Sequence, residues 1–159
     1  MFLVTAGIAV TIYAGKWHFP VKLRFLDKFF RPAQIRRMGS SKIKWLDKPE
    51  DHDYPAARSY LNLIYDDRRA DGFIAKLKRA RVVEFKSKDI FRAARLPLLG
   101  KDNSHVAKDR AKISGGEKLS PMLLVRDSDN GKVIIADGYH RLCAVYSFDE
   151  DAVVPCKIV

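Results

Sequence analysis

Apolar positions in KPEDHDYPAARSYLNLIYDDR recur with helical spacing, placing Tyr60, Leu61, Ile64 and Tyr65 near one face. Asp53 stands where a cap is wanted, and Pro55 suits the first turn. Asp66 to Asp71 interrupts the pattern. A second helix is predicted over about Ala70 to Arg79, burying Phe73, Ile74 and Leu77 and exposing Lys76, Lys78 and Arg79.

Beyond residue 80 the period shortens. Arg81 to Phe85 has the β-branched character of a strand. Ser87 is placed to cap a short helix, KDIFRAARL, that Pro97 and Gly100 end. In KDNSHVAKDRAKISGG, Asn103 or Ser104 caps a further helix and Gly115-Gly116 stops it. MLLVRD and KVIIAD read as two strands, and Asn130-Gly131 between them favours the positive backbone angles of a tight hairpin. Gly138 to Phe148 reads as a helix and Val153 to Val159 as a last strand, with Pro155 suggesting a place near an edge. Helices dominate first and a mixture follows, so the expected class is α+β.

Charge divides the chain unevenly. Residues 1–37 hold seven Lys/Arg and one acid, Asp27, while the rest holds 23 basic and 18 acidic residues. The formal net charge of +11 invites an anionic partner such as nucleic acid, nucleotide or membrane surface. The body is only mildly basic, and Lys76, Lys78 and Arg79 lack an interleaved aromatic platform within their helix. Cys143 and Cys156 have the spacing of neither a metal-ligand pair nor a redox pair, so buried thiols in a reducing cytoplasm are expected.

The first fifteen residues, MFLVTAGIAVTIYAG, carry no charge. That run falls short of the ~20 apolar residues of a spanning helix, and its basic residues follow the apolar stretch instead of preceding it as in a secretory signal. Three readings stay open for residues 1–37: a membrane-associated segment, an extension packed on the domain, or a start placed too early. In the last case Met38 is the native start.

The densest chemistry lies in ADGYHRLCA, residues 136–144. Asp137 falls where a strand ends and a helix begins, and Gly138 permits a turn that a side chain would block. The first turn of a helix leaves backbone N–H groups unpaired in a partly positive field. Arg141 can grip two phosphate oxygens, and His140 can donate or exchange a proton near neutral pH. Asp137 opposes a phosphate if it only caps the helix, and supports one if it holds a divalent cation such as Mg²⁺. Plain scaffolding, with Asp capping and Arg paired to an acid, explains the same residues. His140 and Cys143, three apart, make too small a set to define a metal site.

The ordered set LSPMLLVRDSDNGKVIIADGYHRLCAVY and VVPCKIV, with the helix SHVAKDRAKI before it, resembles the ParB/sulfiredoxin superfamily. The resemblance covers about residues 81–159 and leaves 38–80 as a helical prefix. It implies a small mixed sheet with flanking helices and a phosphate-binding helix start, where members bind ATP or CTP. Carried over, Gly138, Tyr139, His140 and Arg141 form the phosphate-binding turn, Tyr139 being its variable position, with Asp137 and His140 as candidate catalytic groups. Sulfiredoxins place a reactive cysteine directly before His-Arg, where this chain has Tyr139, so sulfinic-acid reduction is not expected. ParB partition proteins carry Gly-Glu-Arg-Arg there and continue into a DNA-binding domain, whereas this sequence stops at Val159. The expected function is nucleotide binding with metal-assisted phosphoryl transfer or hydrolysis. The alternatives are a non-catalytic nucleic-acid-binding or regulatory module, and a membrane-linked interaction protein using residues 1–37.

Overall fold

The apolar run Met122 to Val125 is buried along its whole length, as a strand covered on both faces must be. In the computed structural model, which describes residues 43–159, the elements run β1 (Lys44–Trp45), α1 (Asp53–Leu61), α2 (Asp67–Arg79), β2 (Val82–Lys86) and α3 (Ser87–Ala94). They continue with α4 (Ser104–Ser114), β3 (Lys118–Leu119), β4 (Met122–Asp127), β5 (Lys132–Asp137), α5 (Tyr139–Phe148) and β6 (Val153–Ile158). The fold is α+β. The readings for residues 1–37, and the Met38 start, lie outside the described residues. Among the described residues, no helix is long and apolar enough to cross a membrane.

Four strands form a mixed sheet in the order β2-β6-β4-β5. β2 and β6 are antiparallel, as are β4 and β5, while β4 and β6 run parallel. A separate parallel pair joins β1 to β3. Alternation along β4 and β5 divides the core into two layers. Leu123, Val125, Ile134 and Ala136 pack with Ala57 and Leu61 of α1 and with Ala70, Ile74 and Leu77 of α2. Met122, Leu124 and Ile135 pack on the other face with residues of α3, α4 and α5. The segment that sequence reads as a prefix thus covers one face of β4 and β5. Leu61 and Leu77 are fully buried there, each contributing about 1.5–3 kcal/mol relative to exposure.

Several local expectations give way to tertiary partners. The α1 helix ends at Leu61, so of the predicted stripe Leu61 is buried and Tyr65 half-buried against the same cluster, while Tyr60 and Ile64 are exposed. Asp66 does not break the next helix; it caps it by accepting from the Arg69 N–H at 2.9 Å, which moves the start to Asp67. Ser87 is not a cap either. It is buried, and its hydroxyl donates to the Glu150 carbonyl at 2.6 Å, tying α3 to the loop before β6. Asn103 does cap α4, accepting from the His105 and Val106 N–H groups. The β4–β5 connection is a 3₁₀ turn, Ser128–Asn130, closed by Gly131 at φ +57°, so only the glycine of the Asn130-Gly131 pair takes a positive angle. Pro155 lies on an interior strand, not an edge. The parallel ladder with β4 begins at the next residue, Cys156, so the proline precedes that ladder's registered pairs.

Candidate functional site

The β5 strand gains one residue before it ends. Leu124 pairs with Ile135 but Leu123 pairs with Asp137, leaving Ala136 as the bulged residue. A bulge re-aims the side chains that follow it. Because residues opposite each other in a ladder share a face, Asp137 joins Leu123 on the side covered by α1 and α2. Without the extra residue it would point toward α3, α4 and α5.

Gly138 makes the turn at φ +101° and stands at the N-cap of α5, whose start has no side-chain cap. A Cβ here would lie 3.0 Å from Met122 Cγ and 3.2 Å from Arg141 Nη1, so both the angle and the space call for glycine. Asp137 therefore does not cap the helix. Its Oδ2 instead lies 3.5 Å from Arg141 Nη1, pairing the end of β5 with the first turn of α5.

Arg141 reaches further, to 3.5 Å from Asp53 Oδ1 on α1. Asp53, read from sequence as a helix cap, is instead the first residue of α1, almost fully buried, and bonded to Ser120 Oγ and the Glu50 N–H. Burial first, with the neighbouring Asp53 carboxylate adding to it and the Arg141 charge opposing it, raises the Asp137 carboxyl to about 6. Near neutral pH this carboxyl can therefore exchange a proton. His52 Nε2 stands 3.6 Å from Asp53 Oδ1 and 3.9 Å from Glu50 Oε2. Among the described residues, Glu50, His52 and Asp53 form a donor set within 4.8 Å.

Successive residues of a helix point about 100° apart, and the predicted turn spreads accordingly. The Tyr139 hydroxyl donates to the Pro97 carbonyl, in the loop between α3 and α4. The His140 ring stacks against His105 of α4, with centroids 4.8 Å apart at 31°. Burial, and then His105, push His140 below its ordinary value, and Asp109 acts in the opposite sense. Cys143 is buried, and burial raises its thiol, as it raises Cys156 to about 12.

Of the residues singled out in sequence, Asp137, Gly138 and Arg141 converge, while Tyr139 and His140 face other neighbours. Sequence reasoning missed Glu50, His52, Asp53, Ser120 and His105. The only local signal was the density of titratable groups in Glu50-Asp51-His52-Asp53.

A second feature lies on α2. The Arg69 guanidinium lies 4.5 Å from the Tyr65 ring centroid and 5.8 Å from that of Phe73, with Lys76 6.0 Å from the Phe73 centroid. The helix therefore does carry an aromatic partner, Phe73, and the preceding turn adds Tyr65.

No protein-family model, no curated protein and no solved structure matches the chain.

Proposed function

We propose that this protein binds a nucleotide, ATP or CTP, through its phosphates at the start of α5, as a relative of the ParB/sulfiredoxin superfamily. The observation that carries the reading is the α5 start itself: an N-terminus with no side-chain cap, opened by Gly138 and flanked by Arg141 and His140. The order of hairpin, glycine-opened helix and proline-bearing strand supports the resemblance. In this reading the N–H groups of residues 139–141 receive phosphate oxygens. Arg141, held only by 3.5 Å contacts, swings from the carboxylates to the phosphate. Asp137 holds Mg²⁺ or takes a proton, and its raised affinity for protons suits the second role. The two roles exclude each other at any instant. His140 contacts phosphate and transfers a proton only if its ring leaves the stack on His105, and the arrangement at Arg141 and Asp137 fits phosphoryl transfer or hydrolysis, which depends chiefly on positioning and charge. Two buried free thiols fit a cytoplasmic setting.

Calorimetric titration with ATP, CTP and ADP, with and without Mg²⁺, is the test. Binding that Arg141→Ala abolishes supports the reading; no binding to the wild type, or binding unchanged in the variant, rejects it. A ligand at 100 times its Kd would also stabilise the fold by about 2.7 kcal/mol, visible as a thermal shift.

The Arg69 and Lys76 cluster over Tyr65 and Phe73 favours a second reading, a non-catalytic nucleic-acid or regulatory module. Asp66, Asp67 and Asp71 on the same helix and its cap weaken it. Binding of single-stranded DNA that falls with rising salt and is lost in Arg69→Ala would establish it; absence of binding at low salt would remove it.

A further inference from the structure

β2 is an outer strand of the four-stranded sheet and is bonded to β6 on one side. Among the described residues, no strand covers its other side. All of its residues are exposed, the apolar Val82, Val83 and Phe85 included. Opposite residues of a ladder share a face, so Val83 and Phe85 carry the buried layer of Cys156 and Val154 outward to the rim. Open N–H and C=O groups on such an edge template a further strand, and proteins often blunt them with a proline or a bulge. β2 holds no proline and pairs with β6 in unbroken register. Its charges, Glu84 and Lys86, are of opposite sign, which matches a copy of the strand better than it repels one.

The join to α3 shows which backbone groups are open. The Ser87 N–H donates to the Ala152 carbonyl at 2.9 Å, continuing the β6 register by one pair. Such bonds alternate along an antiparallel strand, so Val82, Glu84 and Lys86 turn their N–H and C=O groups outward. A second β2 laid antiparallel about a two-fold axis keeps every residue on its own face, so the axis passes through a residue and not between two.

Charge selects among the three interior centres. Centred on Glu84, the pair sets two carboxylates opposite each other, which is destabilising. Centred on Val83, it leaves Glu84 facing only the partner's Val82. Centred on Phe85, it sets each Glu84 opposite the partner's Lys86, and Phe85 opposite the partner's Phe85. The rings then meet at a non-hydrogen-bonded pair, where side chains come closest. Both charges are free for this. Glu84 enters no ion pair among the described residues. Lys86 lies 3.0 Å from Asp151, which Lys88 also holds at 2.7 Å and can keep alone.

We propose that two copies of this chain associate through β2, antiparallel and centred on Phe85, to make one continuous sheet. The shared ladder is short, because each strand turns into α3 directly after Lys86. It falls well below the roughly 20–30 residues a side of a standard interface, so the dimer is reversible and depends on concentration. It requires neither nucleotide nor any residue of α5.

Sedimentation velocity on the full chain, across protein concentrations and without nucleotide, is the test. The mass should rise from one chain toward two, and less so at high salt. Glu84→Lys turns two attractions into two repulsions and should weaken association by roughly 10-fold. Combining it with Lys86→Glu exchanges the charges between the two positions and should restore the dimer. Both residues are exposed, so the variants should fold, and circular dichroism verifies this. A single chain at every concentration overturns the proposal. So does a dimer that Glu84→Lys leaves unchanged, or one that the double variant fails to restore. A single chain whose Glu84 and Lys86 N–H groups resist hydrogen exchange also overturns it, and gives the edge to another segment such as residues 1–15.

Discussion

Arg141 and His140 are neighbours on one turn of α5, yet they live in different chemistry. Arg141 enters a buried cluster with Asp137 and Asp53 that joins the helix to the layer across the sheet edge. His140 lies on the other side, its ring against His105 in a partly open stack. One side buries charge and must balance it; the other only half-covers a ring pair and disfavours charge on His140. Adjacent residues in a motif therefore need not form one site. The bulge at Ala136 aims Asp137 at the charged side, and Gly138 lets the helix start between the two.

The largest effect should come from removing Asp53. Asp53→Ala strands Arg141 beside Asp137 and leaves Ser120 without its acceptor, and breaking a buried ion pair from one side costs about 3–5 kcal/mol. Urea denaturation measures it. A loss no larger than that of His105→Ala would show that the two sides of α5 do not differ as described.

The pH dependence of stability should separate the sides by sign, in metal-free protein. Asp137 is raised from 3.8 to about 6, so the native state holds its proton more tightly than the unfolded chain. Its contribution is fully present below about pH 4 and is lost as pH rises through 6, at most about 3 kcal/mol in all. His140 is lowered, so its contribution is present above pH 6.5 and is lost as pH falls through its native value. Asp137→Asn should flatten the window from pH 4 to 6, read from urea midpoints across pH, and leave the His140 limb in place. An unchanged slope in that variant would place the titration elsewhere.

These contrasts were only partly legible in the sequence. β4, β5, α5, the Asn103 cap and the Gly115-Gly116 stop follow from period and capping chemistry, which act within a few residues. The α+β class followed from their order. Asp53 was not legible, because an aspartate before Tyr54-Pro55 satisfies the local rules for a cap, while its partners Ser120 and Arg141 lie 67 and 88 residues away. Asp66 misled in the opposite direction: a polar residue that interrupts an apolar stripe is also what starts a helix. Pro155 could be interior because the ladder on one side begins after it. The direction of Asp137 depended on a one-residue bulge, which leaves no mark in an alternating pattern.

Gly138 tests whether the division starts at the turn. Gly138→Ala forces a side chain to φ +101° and against Met122 and Arg141, which should cost about 1–2 kcal/mol for the backbone angle plus whatever the contact adds. Thermal unfolding measures the loss. If the α5 start is also the phosphate site, nucleotide affinity falls in the same variant. A stability loss with affinity intact would confine Gly138 to folding.

The smallest effect should be on the His105 side. His105 is exposed, and its ring is held by stacking rather than by paired charge, so His105→Ala should change stability by no more than about 0.5 kcal/mol. Its informative effect is on His140, which His105 both covers and repels when charged. Removing that ring should let the His140 imidazole titrate closer to pH 6.5, with Asp109 favouring its charged form. NMR titration of the His140 ring protons reads this directly, and the Asp137 titration should not move, because the two groups face opposite sides of the helix start. A shift of both together would mean that the charged cluster and the imidazole pair act as a single site.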